Sequence, residues 1–511
     1  MKLFLLILYF STLIGIGFYC MKTAKDVDGF VLGGRSVGPW LTAFAYGTSY
    51  FSAVVFVGYA GQFGWKYGVA ATWAGIGNAL IGSLLAWFIL GRRTRIMSRF
   101  LNAATMPQFF ESRFKSSALK IGSALIIFIF LIPYTASLYN GLSRLFGMAF
   151  NLDYSVCIML MAILTAIYVI AGGYMATAIN DFIQGVIMLI GIVAVIYAVF
   201  ETKGGFAASL DALAKVNDPA VSNSPGIFAS FFGPDPVNLL FVVILTSLGT
   251  WGLPQMVQKF YAIKDEDAIQ KGTVISTLFA FIVAGGCYFL GGFGRIFSDQ
   301  IDIKANGFDS IIPTMLSGLS DGMIALIVIL VLSASMSTLS SLVIVSSSTL
   351  TLDLIKDNFA KNMQESRQVF IIRCLIVVFI AISAILALIQ YKSSVNFIAQ
   401  LMGISWGALA GAFLAPFMYS LYFKWVTTAA CWCSFIFGVG IMTLNIFCRG
   451  EFPTMFQSPI NAGALAMIMG LIIVPIVSCF TAKPDKALVD NTFSCYDKKT
   501  EVTLITALGE K

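Results

Sequence analysis

An apolar stretch over residues 328–353 carries an unusual density of hydroxyl side chains. Residues three and four positions apart lie on one face of a helix, which aligns Ala334, Ser337, Thr338 and Ser341, with Ser340 beside them. Hard cations such as sodium prefer several oxygen ligands, which hydroxyls and free backbone carbonyls supply. Helix packing, or hydrogen bonding to the preceding turn, also accounts for many such hydroxyls. The residues alone leave both interpretations open, although the 337–341 cluster is denser than packing needs.

A carboxylate lies within a second apolar segment, ATAINDFIQGVIML. Asp181 stands there beside Asn180 and three residues before Gln184. An unpaired carboxylate in hydrocarbon costs of order 2.5 to 3.5 kcal/mol on insertion scales, so such a residue is a candidate for a functional site. The alternative is a structural carboxylate that local donors cap.

Two further apolar segments contain residues that interrupt a helix. The segment over 39–66 carries Gly47, Thr48, Ser49, Tyr50 and Ser52 near its centre. The segment over 236–258 contains TSLGTWGLPQ, where glycines and a proline interrupt the apolar run. Broken membrane helices free backbone carbonyls for ions, whereas runs of small residues also serve close helix packing. If both segments are broken, their spacing predicts an inverted repeat with its binding site where the two breaks meet.

The composition identifies a membrane protein with no usual catalytic set. Of 511 residues, 58% are hydrophobic and 11% are charged, with a mean hydropathy of +0.88, which is too apolar for an ordinary soluble protein. The chain has no histidine, which removes imidazole-based catalysis and the commonest proton relay. Its nine cysteines are scattered without metal-ligand spacing. We therefore expect no enzyme.

Runs of about 20 apolar residues predict an all-α polytopic protein with thirteen membrane spans. The predicted spans are 2–20, 39–66, 70–91, 118–146, 154–172, 176–200, 236–258, 272–296, 322–352, 369–390, 395–422, 425–448 and 459–480. With this numbering, most of the 32 lysines and arginines fall in loops on one side. The positive-inside rule then predicts an outside N-terminus and a cytoplasmic C-terminus, so the net charge of +7 reflects topology and not nucleic-acid binding.

The chain resembles the sodium/solute symporters that include the sodium/proline, sialic acid, pantothenate and sodium/glucose transporters. The resemblance runs from about residue 2 to 480 and rests on GGRSVGPW, the interrupted second span, AGGYMATAINDFIQ and SASMSTLSS. It implies a LeuT-like fold with a five-plus-five inverted repeat that works by alternating access. The corresponding division is 1–38 for the first helix and inner loop, 39–200 for repeat 1, 201–235 for an outer loop, 236–422 for repeat 2, 423–480 for two further helices and 481–511 for a cytoplasmic tail.

The resemblance also implies where sodium binds. A first sodium site would use the carbonyls of Thr48, Phe51 and Ala334 with the side chains of Ser337 and Thr338. Some members of the family hold a second sodium ion, and the matching residues are Asp181, Ser340 and Ser341. The number of sodium ions per transport cycle, one or two, is therefore left open.

The implied solute is a small organic molecule, such as the amino acid proline or a monocarboxylate. Tyr134 stands where sialic acid transporters place an arginine, and Tyr50 stands where the proline branch places an aspartate. The expected substrate residues are Tyr46, Tyr50, Ser52, Tyr134, Thr250, Trp251 and Gln255.

Other functions compete with this prediction. A sodium-coupled sialic acid or other sugar-acid symporter shares the motifs, and a proton-coupled permease would use Asp181 as its proton carrier. A sensor would need an appended signalling domain, which the 31 residues of the tail cannot supply. We expect a multi-pass protein of the cell membrane, acting as a monomer, with a solute, sodium and lipid as its partners.

Overall fold

The computed structural model describes residues 2–22, 24–150, 153–356, 360, 362–392 and 398–497. Residues 395–397 of the predicted eleventh span and 498–511 of the predicted tail lie outside these ranges. The described part of the chain is helical and contains two isolated β-bridges but no strand.

Thirteen helical stretches, named α1 to α13, form the architecture. They are α1 Lys2–Cys20, α2 Pro39–Tyr50, α3 Val54–Phe100, α4 Ser117–Phe150, α5 Tyr154–Glu201, α6 Pro236–Gly252, α7 Pro254–Ala262, α8 Glu266–Gly292, α9 Asp321–Thr349, α10 Glu365–Lys392, α11 Ile398–Tyr422, α12 Thr428–Phe447 and α13 Pro459–Phe480. Shorter helices in the connections are Val27–Leu32, Met106–Phe114, Phe206–Ala214, Ile311–Ser317 and Lys486–Phe493.

Two of these stretches are too long to cross a bilayer once as straight rods. α3 has 47 residues and α5 has 48, and a straight helix of that length extends about 70 Å against a hydrocarbon core of about 30 Å. Each contains a glycine with positive φ, Gly68 (φ 63°, ψ −144°) and Gly173 (φ 56°, ψ −151°). A side chain is strained in this conformation, and a Cβ at Gly173 would also lie 2.8 Å from the carbonyl oxygen of Phe30. The glycine therefore permits the turn in each stretch.

The structure confirms an all-α polytopic protein. Nine helices of the described residues are long and apolar enough to cross a membrane, and α6 with α7 makes a tenth if this pair, bent by 45°, is one span. The predicted fifth and sixth spans are the parts of α5 before and after Gly173. The count of thirteen spans, the orientation and the division into repeats stay predictions.

Both interrupted segments break as the sequence predicted. α2 ends at Tyr50, and Phe51 has extended backbone angles (φ −103°, ψ 116°) before a helix resumes at Val54. α6 ends at Gly252, and Leu253 is likewise extended (φ −80°, ψ 122°) before α7. Pro254 favours this second break because proline cannot donate a helical hydrogen bond but is well placed at a helix start.

Glycines allow α3 and α8 to pack with their backbones in contact. A Cβ at Gly64 would lie 1.9 Å from the carbonyl oxygen of Gly291, and a Cβ at Gly291 would lie 2.0 Å from that of Ala60. Neither partner atom belongs to a side chain that could rotate away. This crossing fixes α8 against the helix that follows the first break.

We predict that Gly291→Ala destabilises the fold, whereas Gly285→Ala in the same helix does not. A Cβ at Gly285 meets no atom within 4 Å, so this variant is a matched control. Overpacking costs about 1–3 kcal/mol, so the midpoint of thermal unfolding in detergent should fall by several degrees for Gly291→Ala alone. Equal midpoints for the two variants would contradict the proposed backbone contact.

Candidate functional site

The break after α2 leaves backbone groups without helical partners. In a continuous helix the N–H of Ala53 would donate to the carbonyl of Ser49. It donates instead to the hydroxyl of Ser335 on α9, at 3.2 Å. The last carbonyls of α2 are therefore available to other ligands at a buried position.

Hydroxyl side chains of α9 meet one of these carbonyls. Ser337 Oγ donates to the carbonyl oxygen of Thr48 at 3.0 Å, and Thr338 Oγ1 donates to the same oxygen at 3.1 Å. The two hydroxyls also lie 3.1 Å and 3.0 Å from the carbonyl oxygen of Ala334. Four oxygens from two distant segments thus form one buried cluster.

This cluster contains four of the five residues predicted for the first sodium site. The fifth residue, Phe51, is buried in the extended linker directly after α2. Two carbonyls and two hydroxyls are the neutral oxygen donors that suit a hard monovalent cation. The donor set therefore fits sodium, and its role as a sodium site stays a prediction.

The residues of the predicted second sodium site lie nearby, together with a cation that the sequence analysis missed. Lys259 Nζ donates to Ser341 Oγ at 2.9 Å, and Ser341 Oγ lies 2.7 Å from Ser49 Oγ. Lys259 Nζ also lies 3.9 Å from Asp181 Oδ2, and both side chains are at most 1% exposed. The hydroxyl of Ser340 donates to the carbonyl of Ser337 in its own helix.

Lys259 was missed because the predicted seventh span ended at residue 258. The structure continues this segment as α7 to Ala262 and buries Lys259 within it. A similar boundary hid Asp353, which follows the predicted end of the ninth span. Its carboxylate is buried and accepts a hydrogen bond from Thr105 Oγ1 at 2.7 Å. A boundary error of one residue therefore concealed a buried charge in each case.

Three of the predicted substrate residues are bound to the backbone of α3. Tyr46 OH donates to the carbonyl of Gly82 at 2.8 Å, and Trp251 Nε1 donates to that of Ile81 at 2.9 Å. Thr250 Oγ1 lies 3.0 Å from the carbonyl oxygen of Gly82 and 2.9 Å from that of Ser247 in its own helix. These acceptors lie in a π-helical part of α3, Asn78–Leu85, where the wider turn disturbs the regular helical hydrogen bonding. These side chains therefore join α2 and α6 to α3.

The other predicted substrate residues surround Trp406 of α11. The Tyr50 ring is stacked on the Trp406 ring, with centroids 5.7 Å apart, and the Tyr134 ring packs edge-on against it at 5.9 Å. The Tyr50 hydroxyl donates to the carbonyl of Thr246. Ser52 Oγ accepts a hydrogen bond from the N–H of Val54 at the start of α3. Trp406 was not predicted, although a tryptophan among small residues in GISWGALAG was a usable signal.

Several polar groups in this region form no hydrogen bond of standard geometry with another described residue. They are the hydroxyl of Tyr134, the indole N–H of Trp406 and both amide atoms of Gln255. All three side chains are buried. An unpaired buried polar group costs about 1–3 kcal/mol, so these groups are the ones best suited to bind a polar solute.

One end of the two broken segments is closed by backbone hydrogen bonds. Val37, just before α2, forms a parallel β-bridge with Ile263, just after α7. The Val37 N–H donates to Ala262, and the Lys264 N–H donates to Val37. At the opposite end, a cavity of about 940 Å³ lies between the first part of α3, the start of α6, residues 218–221 and the residues before α13.

Comparison with known proteins supports this architecture. Residues 30–438 match the Sodium:solute symporter family. The osmoregulated proline transporter OpuE of Bacillus subtilis (strain 168) is 30% identical over 484 residues, covering 94% of this chain and 95% of that protein. A sodium/proline symporter of Staphylococcus aureus (strain JH9) is 32% identical over 430 residues, covering 82% of this chain and 81% of the relative.

Among solved structures, a Na⁺-coupled sialic acid symporter in a substrate-bound outward-open state has the same fold. The TM-score is 0.74, with 16% identity, and the match covers 95% of this chain and 99% of the symporter. The predicted LeuT-like fold and the predicted family are confirmed. The chain belongs to the sodium:solute symporter family and is a multi-pass transporter of the cell membrane, not an enzyme.

Proposed function

We propose that this protein couples the entry of sodium to the uptake of a small amino acid, with proline as the first candidate. The observation that carries the proposal is the oxygen cluster of Thr48, Ala334, Ser337 and Thr338, in which each hydroxyl lies within 3.1 Å of both carbonyls. With the carbonyl of Phe51, these residues would form a five-ligand sodium site. No carboxylate is needed, because ion–dipole contacts suffice for a monovalent ion.

Sodium at this site would act as a removable link between α9 and the break that follows α2. The ion would take the carbonyls of Thr48 and Ala334 as ligands and hold the two segments together. If the solute binds more tightly to this arrangement, sodium and solute must raise each other's affinity by the same factor. Each entering charge also contributes about 2.3 kcal/mol per 100 mV of membrane potential.

The two broken segments are closed at one end by the β-bridge and open at the other end to the cavity, which suggests a direction of transport. We place the Val37–Ile263 bridge on the cytoplasmic side, which agrees with the basic loops predicted there, and the cavity of about 940 Å³ outside. The structure would then correspond to a state closed to the cytoplasm. Inward opening requires the bridge to separate, together with the contacts of Arg95 Nε with Ile263 and of Arg99 Nη2 with Arg35.

Two independent observations support the proposed solute class. Both curated relatives described above are proline transporters by name. The unpaired hydroxyl of Tyr134 and amide of Gln255, beside the rings of Tyr50 and Trp406, would suit a small solute with one apolar face and a few polar atoms. A monocarboxylate fits the same description. Sialic acid, with many hydroxyls, has less support because Tyr134 offers it no positive charge.

We predict that replacing Ser337 and Thr338 together by alanine raises the sodium concentration for half-maximal uptake at least about tenfold. Two of five ligands are lost, and 1.4 kcal/mol already corresponds to tenfold. Ser348→Ala is the matched control, since its hydroxyl donates to the carbonyl of Val345 in the same helix. Uptake is measured in proteoliposomes over a range of sodium concentrations. Unchanged sodium dependence of the double variant would contradict the site, and uptake that follows pH without sodium would favour a proton-coupled permease.

We predict that Tyr134→Phe weakens solute binding and that Tyr46→Phe affects the fold instead. Both changes remove one hydroxyl, but that of Tyr46 is already bound to Gly82. Losing one hydrogen bond of about 0.5–1.5 kcal/mol should raise the KM for the solute threefold to tenfold in Tyr134→Phe. In Tyr46→Phe, the KM should stay within about twofold while the unfolding midpoint falls.

Sodium-dependent uptake of labelled proline, sialic acid and small monocarboxylates by the same variants provides the readout. An equal change in KM for the two variants would contradict the division between binding and structural residues. Transport of sialic acid but not proline would contradict the proposed solute.

A further inference from the structure

The charge of Lys259 lies among the residues of the predicted second cation site. The side chain extends from α7, the second half of the second broken segment, and is 1% exposed. Its ammonium group lies 2.9 Å from Ser341 Oγ and 3.9 Å from Asp181 Oδ2. It also lies 5.0 Å from the centre of the Tyr174 ring, which attracts cations weakly through its π electrons. The surroundings of this ammonium are those expected for a small monovalent cation.

We propose that the ammonium group of Lys259 takes the place of a second sodium ion, so that this transporter moves one sodium ion with each solute molecule. The inference rests on the sodium-coupled symport proposed above. It concerns the number of ions and the role of Lys259, neither of which the first sodium site determines.

The charge of Asp181 favours Lys259 over a sodium ion as its partner. Neither carboxylate oxygen of Asp181 has a hydrogen-bond partner among the described residues, so the nearby cation is the main compensation for its charge. A lysine ammonium is a compact point charge with three donors, and one of these already reaches Ser341. A sodium ion at the same carboxylate would face this ammonium at short range in a medium of low dielectric constant, where like charges repel strongly.

The covalent attachment of Lys259 to the chain also favours it over a free sodium ion. A group on the same chain competes with a free ion at a high effective concentration. Sodium would have to displace a side chain whose alternatives within the buried core are few.

The position of Lys259 has a mechanical consequence as well. Through Lys259, α7 contacts Asp181 on α5 and Ser341 on α9, and Ser341 in turn contacts Ser49 on α2. A removable ion would join these four helices only when bound, whereas a lysine joins them throughout the cycle unless α7 moves away. Only the site beside Thr48 is then left to respond to the sodium gradient.

The direct test measures the ratio of sodium to solute that the unmodified protein transports in proteoliposomes. The ratio is obtained from paired ²²Na⁺ and labelled proline fluxes and, independently, from the reversal potential. We expect one sodium ion per solute and a Hill coefficient for sodium near one. A ratio of two would overturn this inference while leaving sodium coupling intact. Uptake without any sodium dependence would overturn both this inference and the proposed function.

Lys259→Met tests the role of the side chain, because methionine has a similar length and no charge. Asp181 and Ser341 then become available to an ion, so the ratio and the number of ²²Na⁺ ions bound per protein should rise from one to two. Adding Asp181→Asn to this variant should return both to one. Lys271→Gln, at an exposed lysine of α8 paired with Asp267, is the control and should keep the unmodified ratio.

If Lys259→Met transports no solute, ²²Na⁺ binding to the purified protein still provides the count. If that variant does not fold, Asp181→Asn alone is informative, because the inference predicts an unchanged Hill coefficient near one. One bound ion in a folded Lys259→Met variant would overturn the inference. So would a Hill coefficient that falls from two to one in Asp181→Asn.

Discussion

Carbonyl groups released where α2 ends at Tyr50 must find polar partners inside the bilayer, where no bulk water is present. The hydroxyl side chains of α9 provide these partners at Thr48, and Ser335 provides one for the N–H of Ala53. The break in α2 and the hydroxyls of α9 are therefore parts of one feature. Either would be unfavourable without the other, and in the proposed function a sodium ion would compete for the same oxygens.

The surrounding helices hold this feature in place. Close backbone contact of α3 with α8 at Gly64 and Gly291 fixes the helix that follows the break. Tyr46 and Thr250 share the carbonyl of Gly82, which joins both broken segments to the π-helical part of α3. The backbone bridge between Val37 and Ile263 joins the same two segments at one end. A few specific contacts thus connect the two breaks.

Much of this arrangement could be predicted from the sequence. The hydroxyl column of α9, the glycine-interrupted breaks and the buried Asp181 are local patterns, and the structure shows each of them as expected. The partner of a buried group depends on helix packing, which local patterns do not determine. For this reason the sequence did not predict that Tyr46, Thr250 and Trp251 donate to backbone carbonyls, and the family resemblance suggested a solute site instead.

Lys259 and Trp406 show two other reasons why sequence analysis is incomplete. Lysine is avoided in apolar segments, so a hydropathy criterion ended the predicted span just before Lys259. The structure compensates the charge with Asp181, a residue 78 positions away in the sequence. Trp406 lies in an ordinary apolar helix, and only its contacts with Tyr50 and Tyr134 distinguish it from a packing residue.

The central claim is that sodium binds between the carbonyls of Thr48 and Ala334. The most direct measurement is a pair of high-resolution experimental density maps of the protein, one in sodium and one in choline. We expect a density peak in sodium alone, enclosed by these carbonyls, the carbonyl of Phe51 and the hydroxyls of Ser337 and Thr338. Unchanged hydrogen bonds from both hydroxyls to Thr48 in the two maps, with no peak between them, would contradict it.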